Sequence, residues 1–146
     1  MRGGDDIGFF MCIFCQIIAN EIPAEKIYED ENILAFLDIH PNNFGHTLVL
    51  PKKHCENLFD ADEKTLENLI TIVKKISLAV KNAIGADGIN IGINNGEAAG
   101  QMVPHLHIHV IPRFFADGLV HWPSKEYGAG EMEKIGEKIR EVIKSS

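Results

Sequence analysis

"PHLHIHVIPR", residues 104–113, places His105, His107 and His109 at alternate positions of a short apolar run. In a β-strand, successive side chains point to opposite faces of the sheet. We therefore predict a strand with the three imidazoles on one face and aliphatic side chains on the core face. The aliphatic residues are Leu106, Ile108 and Val110. Imidazole can act near neutral pH as nucleophile, proton carrier or metal ligand, so this face indicates a metal site or phosphoryl chemistry. A merely solvated strand face is the simpler alternative.

Composition indicates one soluble globular domain. The chain has 146 residues, of which 45% are hydrophobic and 24% charged, enough for a hydrophobic core. The formal net charge of −7 argues against binding to the nucleic-acid backbone, although a locally positive pocket could still take a small anion. No apolar run has the length of a membrane span. We expect neither nucleic acid nor membrane as a partner.

The beginning of the chain shows no signal-peptide pattern, and three cysteines do not suggest a disulfide framework. Both observations lead us to expect a cytoplasmic protein. Residues 1–10 are rich in Gly and Asp and precede a second methionine. We predict a flexible tail over 1–10 and a single domain over 11–146.

The rest of the chain predicts strands around the histidine segment. The runs "KIYED", "NILAFLDI" and "HTLVLPK", separated by turn-forming residues, predict an antiparallel meander, and "GINIGINNG" a further strand. A 3.6-residue apolar period predicts a helix over about 62–84, opened by a capping box of Asp60 and Glu63 and ended by Gly85.

Two shorter helices complete the prediction. Residues 12–22 carry apolar residues at helical spacing before Pro23, and residues 131–143 form a second amphipathic pattern. The fold class is therefore α+β, with about five antiparallel strands, one long helix and short terminal helices.

Several segments together resemble one known family. "HLHIHVI" matches the histidine triad signature, in which three histidines alternate with apolar residues. "CIFCQII", "EIPAEKIYED", "LAFLDIHPNNFGHTLVLPKKH" and "INNGEAAGQMVPHLHIHVIPR" agree with that superfamily in order and spacing. The chain resembles a Hint/Fhit-type nucleotide phosphoramidase or hydrolase over roughly residues 11–115, most closely the bacterial Hit branch. The resemblance implies a HIT-like fold and a two-fold homodimer joined through the long helix and a strand near 88–94.

The resemblance also implies a reaction. His107 would attack the α-phosphorus of a purine nucleoside phosphoramidate (AMP-X), forming a covalent nucleotidyl-histidine that water hydrolyses. His109 and His46 would contact the α-phosphate or leaving group and handle charge and protons. Two alternatives remain open: a dinucleoside polyphosphate hydrolase, since "HVIPR" is somewhat Fhit-like, and a zinc-stabilised nucleotide-binding module with little turnover.

The nucleotide pocket follows from the same resemblance. Asp38 would accept hydrogen bonds from ribose hydroxyls. The apolar slot for the base would consist of Ile13, Phe14, Ile17, Phe36 and Ile39. The phosphate loop would present Asn94, Gly100, Gln101 and Met102 beside His107 and His109. Met102 stands where many Hint-type proteins carry Ser or Thr, and it cannot donate a hydrogen bond. Taken alone, the slot residues would be ordinary core and the loop a plain hairpin connection.

Cys12 and Cys15 form a C-x-x-C pair, which supplies half of a tetrahedral zinc site. His54 and His105 are the candidates for the other two ligands. The resemblance supports them, because zinc-bearing members, including galactose-1-phosphate uridylyltransferases, use these kinds of histidine. Cys55 is a weaker candidate, because adjacent side chains in extended backbone point apart. Four ligands leave no open position, so the zinc would be structural. The alternative is two small buried thiols without metal.

Overall fold

The computed structural model describes residues 12–146, in which five strands form one antiparallel sheet of order β1-β2-β3-β5-β4. The strands are β1 (Lys26–Glu29), β2 (Ile33–Leu37), β3 (Thr47–Pro51), β4 (Gly88–Gly92) and β5 (Ile108–Arg113). The helices are α1 (Ile13–Ile18), α2 (Glu63–Ile84) and α3 (Glu131–Ser145), with a 3-10 turn at Glu97–Ala99. The predicted α+β class is confirmed. The predicted tail over 1–10 lies outside the described residues.

The two faces of the sheet carry separate cores, as strand alternation requires. Helix α2 covers one face, where its side chains meet alternate residues of β2, β3 and β5. This core contains Ile33, Ala35, Val49, Leu69, Val73, Ile76, Val80, Leu106, Ile108 and Val110. Helix α1 covers part of the other face. That core contains Phe14, Ile17, Leu34, Phe36, Leu48 and Leu50. The three aliphatic residues that alternate with the histidines therefore face the core under α2, as predicted.

Helix α2 begins two residues later than its predicted capping box. The N-cap is Asp62, whose side chain accepts a hydrogen bond from Thr65 N at 2.8 Å. The Asp60 carboxylate instead accepts from the backbone N–H groups of Glu56 and Asn57 and closes the preceding turn. Asp60 is thus engaged before the helix starts. Gly85 ends the helix in the left-handed conformation (φ 71°), as predicted.

Regular pairing in β5 begins at Ile108, so two of the three histidines precede the strand. The register pairs Val49 with Ile108, which brings Pro51 opposite the chain ahead of β5. Proline has no N–H to donate, so the ladder cannot continue there. Leu106 N instead donates to Cys55 O at 2.8 Å. The side chains of residues 105–107 still alternate between the two faces of the sheet, although the regular hydrogen-bond ladder does not include them.

The terminal helices differ in their packing. Helix α1 is shorter than predicted because the chain turns at Asn20, which adopts a left-handed φ of 62°. Helix α3 follows the predicted range, yet none of its residues is buried. Its apolar side chains, Met132, Ile135, Ile139, Val142 and Ile143, all face solvent. In the described part of the chain, no helix combines the length and apolarity that crossing a bilayer requires.

Candidate active site and metal centre

His107 has its proton fixed by the backbone. Its Nδ1 lies 2.7 Å from the carbonyl oxygen of His105. A carbonyl only accepts, so Nδ1 donates and the lone pair of the neutral ring lies on Nε2. The ring is buried and meets the Phe14 ring edge-on, with centroids 5.0 Å apart. Burial lowers the pKa of His107 below its ordinary value, which keeps Nε2 unprotonated at neutral pH.

His46 and His109 form a second histidine pair whose proton positions also follow from their partners. Asn42 N donates to His46 Nδ1 at 3.1 Å, so the proton of neutral His46 is on Nε2. His46 Nε2 lies 3.0 Å from His109 Nδ1, which must accept. His109 therefore carries its own proton on Nε2, as a hydrogen-bond donor. Burial lowers the pKa of His46 and lowers that of His109 to about 4.

Asp38 lies between a turn and this histidine pair. One carboxylate oxygen accepts from His40 N at 2.9 Å, and the other is 3.7 Å from His46 Nε2. Its negative charge raises the pKa of His46, His107 and His109, against the larger effect of burial. The oxygen toward His46 is the one left for a ligand, and ribose binding by Asp38 stays a prediction.

The loop between β4 and β5 is held by the Gln101 side chain. Gln101 Oε1 accepts from Gly96 N at 2.9 Å, and Nε2 donates to the carbonyls of Glu56 (2.6 Å) and Val103 (3.0 Å). These bonds use the amide within the protein, so Gln101 shapes the loop. Gly96 and Gly100 take positive φ values of 92° and 90° there, which favours glycine.

The predicted base slot divides into buried and exposed parts. Phe14, Ile17 and Phe36 belong to the core under α1, and Phe14 stacks edge-on against Phe36 at 5.5 Å. Ile13 and Ile39 are exposed, at 45% and 84%. The structure thus does not bring the five into one open slot. A slot for the base stays a prediction, in which Ile13 and Ile39 are the members that solvent reaches. Met102 is also exposed, at 90%.

A cavity of about 710 Å³ lies beside His109, between strands β4 and β5 and residues 119–122. Asn94, His109 and Trp122 are among its lining residues, as is Asn42. Asn94 and His109 were predicted for the site, whereas Asn42 was not. Its contribution is a backbone N–H, which residue type does not reveal.

The four predicted metal ligands form one cluster. Cys12 Sγ is 3.4 Å from His105 Nδ1, Cys15 Sγ is 3.3 Å from His54 Nδ1, and the two Nδ1 atoms are 3.1 Å apart. All four ligand atoms lie within 4.8 Å of one another. Tetrahedral zinc places its nitrogen and sulfur ligands roughly 3.3–3.8 Å apart. The cluster therefore has nearly the size of a zinc site. The Cys55 thiol belongs to the core under α2 and is not a member.

Two hydrogen bonds and the burial of the cluster favour the binding of a cation. His105 Nε2 donates to Pro51 O at 2.8 Å, which leaves the Nδ1 lone pair pointing at the cluster. Cys15 N donates to Cys12 Sγ at 3.3 Å. Burial, reinforced by Cys12, raises the pKa of the Cys15 thiol to about 12. Without a cation the thiolate is disfavoured, and a bound cation would reverse this.

Asp38, His46 and His109 form a second group of possible metal ligands within the described residues. Their hydrogen bonds oppose that role. A metal on His46 Nε2 would require the proton on Nδ1, where it would face the N–H of Asn42. Of these two groups of described residues, the cluster of Cys12, Cys15, His54 and His105 presents a ring lone pair, on His105 Nδ1, that faces no backbone N–H, and it is the one that fits a metal.

Together these features define a small α+β protein in which His46, His107 and His109 form a largely buried cluster beside a Cys₂His₂ group. The HIT domain family matches residues 19–116. The chain belongs to this family, which confirms the resemblance seen in the sequence.

Individual relatives agree with this assignment. The chain is 39% identical over 135 residues to an adenosine 5'-monophosphoramidase of Schizosaccharomyces pombe, covering 91% of this chain and 98% of that protein. A HIT family protein from Bacillus subtilis has a crystal structure similar to this fold (TM-score 0.83, 41% identity, 90% and 96% coverage). So has a Zn-bound histidine triad family protein from Mycobacterium smegmatis (TM-score 0.74, 42% identity, 81% and 86% coverage).

Proposed function

We propose that the chain hydrolyses purine nucleoside phosphoramidates, in which AMP is joined to an amine, through a nucleotidyl intermediate on His107. One observation carries the proposal: the His105 carbonyl holds the proton on His107 Nδ1 and leaves Nε2 as a nucleophile. The Schizosaccharomyces pombe relative, named for an activity on this class of compound, supports it.

In the first step His107 Nε2 attacks the α-phosphorus, and the phosphorus–nitrogen bond breaks. The electron pair leaves with the amine nitrogen, which takes a proton from solvent. His109 Nε2–H donates a hydrogen bond to a phosphate oxygen or to the leaving nitrogen, where negative charge develops. Neutral His109 acts as a donor and keeps its proton, because giving it away would leave an imidazolate.

In the second step water attacks phosphorus and the bond to Nε2 breaks, which releases AMP and a proton and restores neutral His107. The His105 carbonyl serves both steps, since it accepts from Nδ1–H while positive charge builds on the ring.

The test compares an AMP–amine conjugate with a diadenosine polyphosphate as substrates of the same preparation. We expect faster hydrolysis of the conjugate, and quenching with an alkaline denaturant, which preserves phosphorus–nitrogen bonds to histidine, should leave AMP attached to the peptide that contains His107. The His107→Ala variant should show neither hydrolysis nor adduct. Faster cleavage of the diadenosine compound would favour a dinucleoside polyphosphate hydrolase. Binding of AMP without turnover of either compound would favour a nucleotide-binding module.

We also propose that Cys12, Cys15, His54 and His105 hold one structural zinc ion. The cluster's size, the lone pair on His105 Nδ1 and the Zn-bound Mycobacterium smegmatis relative support this. Four ligands complete a tetrahedron, so zinc would supply stability and no substrate position. A reducing compartment such as the cytoplasm would keep both thiols available.

Metal content and stability test the zinc proposal. The preparation should contain one zinc per chain, and Cys15→Ala should lose it together with several degrees of melting temperature. Cys55→Ala is the matched control, a second buried thiol outside the cluster, and should retain the metal. A stable protein that contains no zinc after purification without chelator would contradict the proposal.

We further propose a homodimer formed through α2 and β4. Strand β4 is an unpaired edge of the sheet, with Ile91 exposed, and α2 exposes Ile70 and Leu78. Unpaired edges and apolar faces of this kind are covered in stable proteins. Sedimentation at micromolar concentration should give the mass of two chains, and an Ile70→Lys substitution should halve it. A monomer would refute this association.

A further inference from the structure

His46 is presented by a tight turn that is anchored at a distance from the histidines. His46 N donates to Asn43 O at 3.0 Å, and Gly45 takes a φ of 101° within this turn. The Asn43 side chain leaves the turn and donates from Nδ2 to Pro112 O (2.8 Å) and to Asp117 (3.1 Å). Asn43 therefore ties the turn to the end of β5.

Asp117 is a rigid anchor for this contact. Its carboxylate accepts from Arg113 Nε at 2.7 Å and from the backbone N–H groups of Phe114 and Leu119 at 3.0 Å each. The Arg113 guanidinium holds the pKa of this carboxyl well below its usual range. The side chain is only 6% exposed. An acceptor fixed by this many donors restricts the Asn43 amide to one orientation.

We propose that Asn43 is a positioning residue that holds the Asn42 N–H against His46 Nδ1 and so fixes the tautomer of His46. Asn42 directly precedes Asn43, and the Asn43 carbonyl accepts from His46 N, so the side-chain anchor of Asn43 holds the short turn in which the Asn42 N–H meets His46 Nδ1. Through the 3.0 Å contact between the two rings, the tautomer of His46 then sets the tautomer of His109. The consequence for catalysis rests on the proposed function, whereas the tautomers themselves do not.

The effect of a loose turn follows from the donor and acceptor pattern. Without a donor at Nδ1, His46 can carry its proton on either nitrogen. With the proton on Nδ1, the Nε2 lone pair would face the lone pair of His109 Nδ1. His109 would respond by moving its proton to Nδ1, which removes the Nε2–H donor from the cavity side. The site would retain all its residues and lose its arrangement of donors.

Histidine ¹⁵N spectra of the ligand-free protein measure these tautomers directly, with His46 resonances assigned by comparison with a His46→Gln variant. In the wild-type protein we expect the Nε2–H form of His46 alone. In Asn43→Ala we expect a mixture with the Nδ1–H form. kcat for the AMP–amine conjugate should fall about tenfold, with the Kd for AMP unchanged within twofold. Tyr28→Phe, which removes one side-chain hydrogen bond at the far edge of the sheet, should change none of these.

Two results would overturn the proposal: an Nδ1–H form of His46 in the wild-type protein, or an unchanged tautomer in Asn43→Ala. If Asn43→Ala fails to fold, Asp117→Asn takes its place, because it weakens the anchor and retains the Asn43 amide; an unchanged tautomer there also overturns the proposal. Absence of phosphoramidate turnover in the wild-type protein would refute the proposed function alone, since the spectra decide the tautomers without substrate.

Discussion

Acid should destabilise the protein through His109, and the size of the effect can be worked from its environment. Burial lowers the pKa of His109 from 6.5 to about 4, so the native state binds fewer protons than the unfolded state between these values. Stability is therefore complete above pH 6.5 and is lost as the pH falls toward 4. At pH 5, which is 1.5 units below the ordinary value, the loss is about 2 kcal/mol. Because the ring is partly solvated, we expect about 1 kcal/mol.

The assay is urea unfolding followed by far-ultraviolet circular dichroism at pH 8 and pH 5. The other buried histidines also titrate, so the informative quantity is the difference between the wild-type protein and a His109→Gln variant. Glutamine can still accept from His46 Nε2–H and does not titrate. The free energy of unfolding should fall by about 1 kcal/mol more in the wild-type protein. An equal fall in both proteins would show that His109 is not held neutral by burial.

Three further predictions, one of them with a control substitution, have defined outcomes. His107→Ala should abolish hydrolysis and leave the Kd for AMP within a few-fold, as measured by steady-state kinetics and calorimetry; substantial residual turnover would exclude His107 as the nucleophile. Gly45→Ala should lower the free energy of unfolding by about 1–3 kcal/mol, because φ is 101° and a Cβ would lie 2.9 Å from Ile84. Gly88→Ala, where a Cβ meets nothing within 4 Å, should cost little in the same denaturation experiment, and equal losses would refute the strain. Val73→Ala should cost about 2–4 kcal/mol in that assay, because it opens a cavity in the core under α2, and a loss below 1 kcal/mol would contradict this packing.

The sequence was sufficient for the fold because its patterns are regular. Alternation in the strands and the 3.6-residue period of α2 each place apolar residues on one face. Burial of these faces against one another then determines how the helix packs on the sheet. The boundaries were less predictable where two local signals compete. Asp60 and Asp62 both have the chemistry of an N-cap, and the turn over residues 56–60 engages the first of them. Similarly, the histidine segment alternates throughout, although Pro51 on the neighbouring strand ends the regular pairing.

Within the site, side chains were more predictable than the atoms that control them. The four candidate metal ligands Cys12, Cys15, His54 and His105 were found by residue type and resemblance, and the structure brings them together. The controlling partners are backbone groups: the Asn42 N–H, the Pro51 carbonyl and the His105 carbonyl. Every residue carries such groups, so the sequence gives no signal for them. For the base slot, the sequence does give a signal, but the signal is ambiguous. Phe14 and Phe36 suit a core as well as a pocket.

His105 connects the two sites through different parts of the same residue. Its imidazole points into the Cys12 cluster, while its carbonyl oxygen sets the proton on His107. Substitution can delete the imidazole, but any residue placed at 105 brings the same carbonyl. Substitution at residue 105 can therefore remove the imidazole but cannot remove the carbonyl acceptor. A lineage could lose the proposed metal ligand at residue 105 by a single codon change and still inherit the carbonyl that holds the proton on His107 Nδ1, provided that the chain keeps its path. In this architecture the proposed metal is open to evolutionary loss, whereas the tautomer of His107 is protected by the peptide backbone.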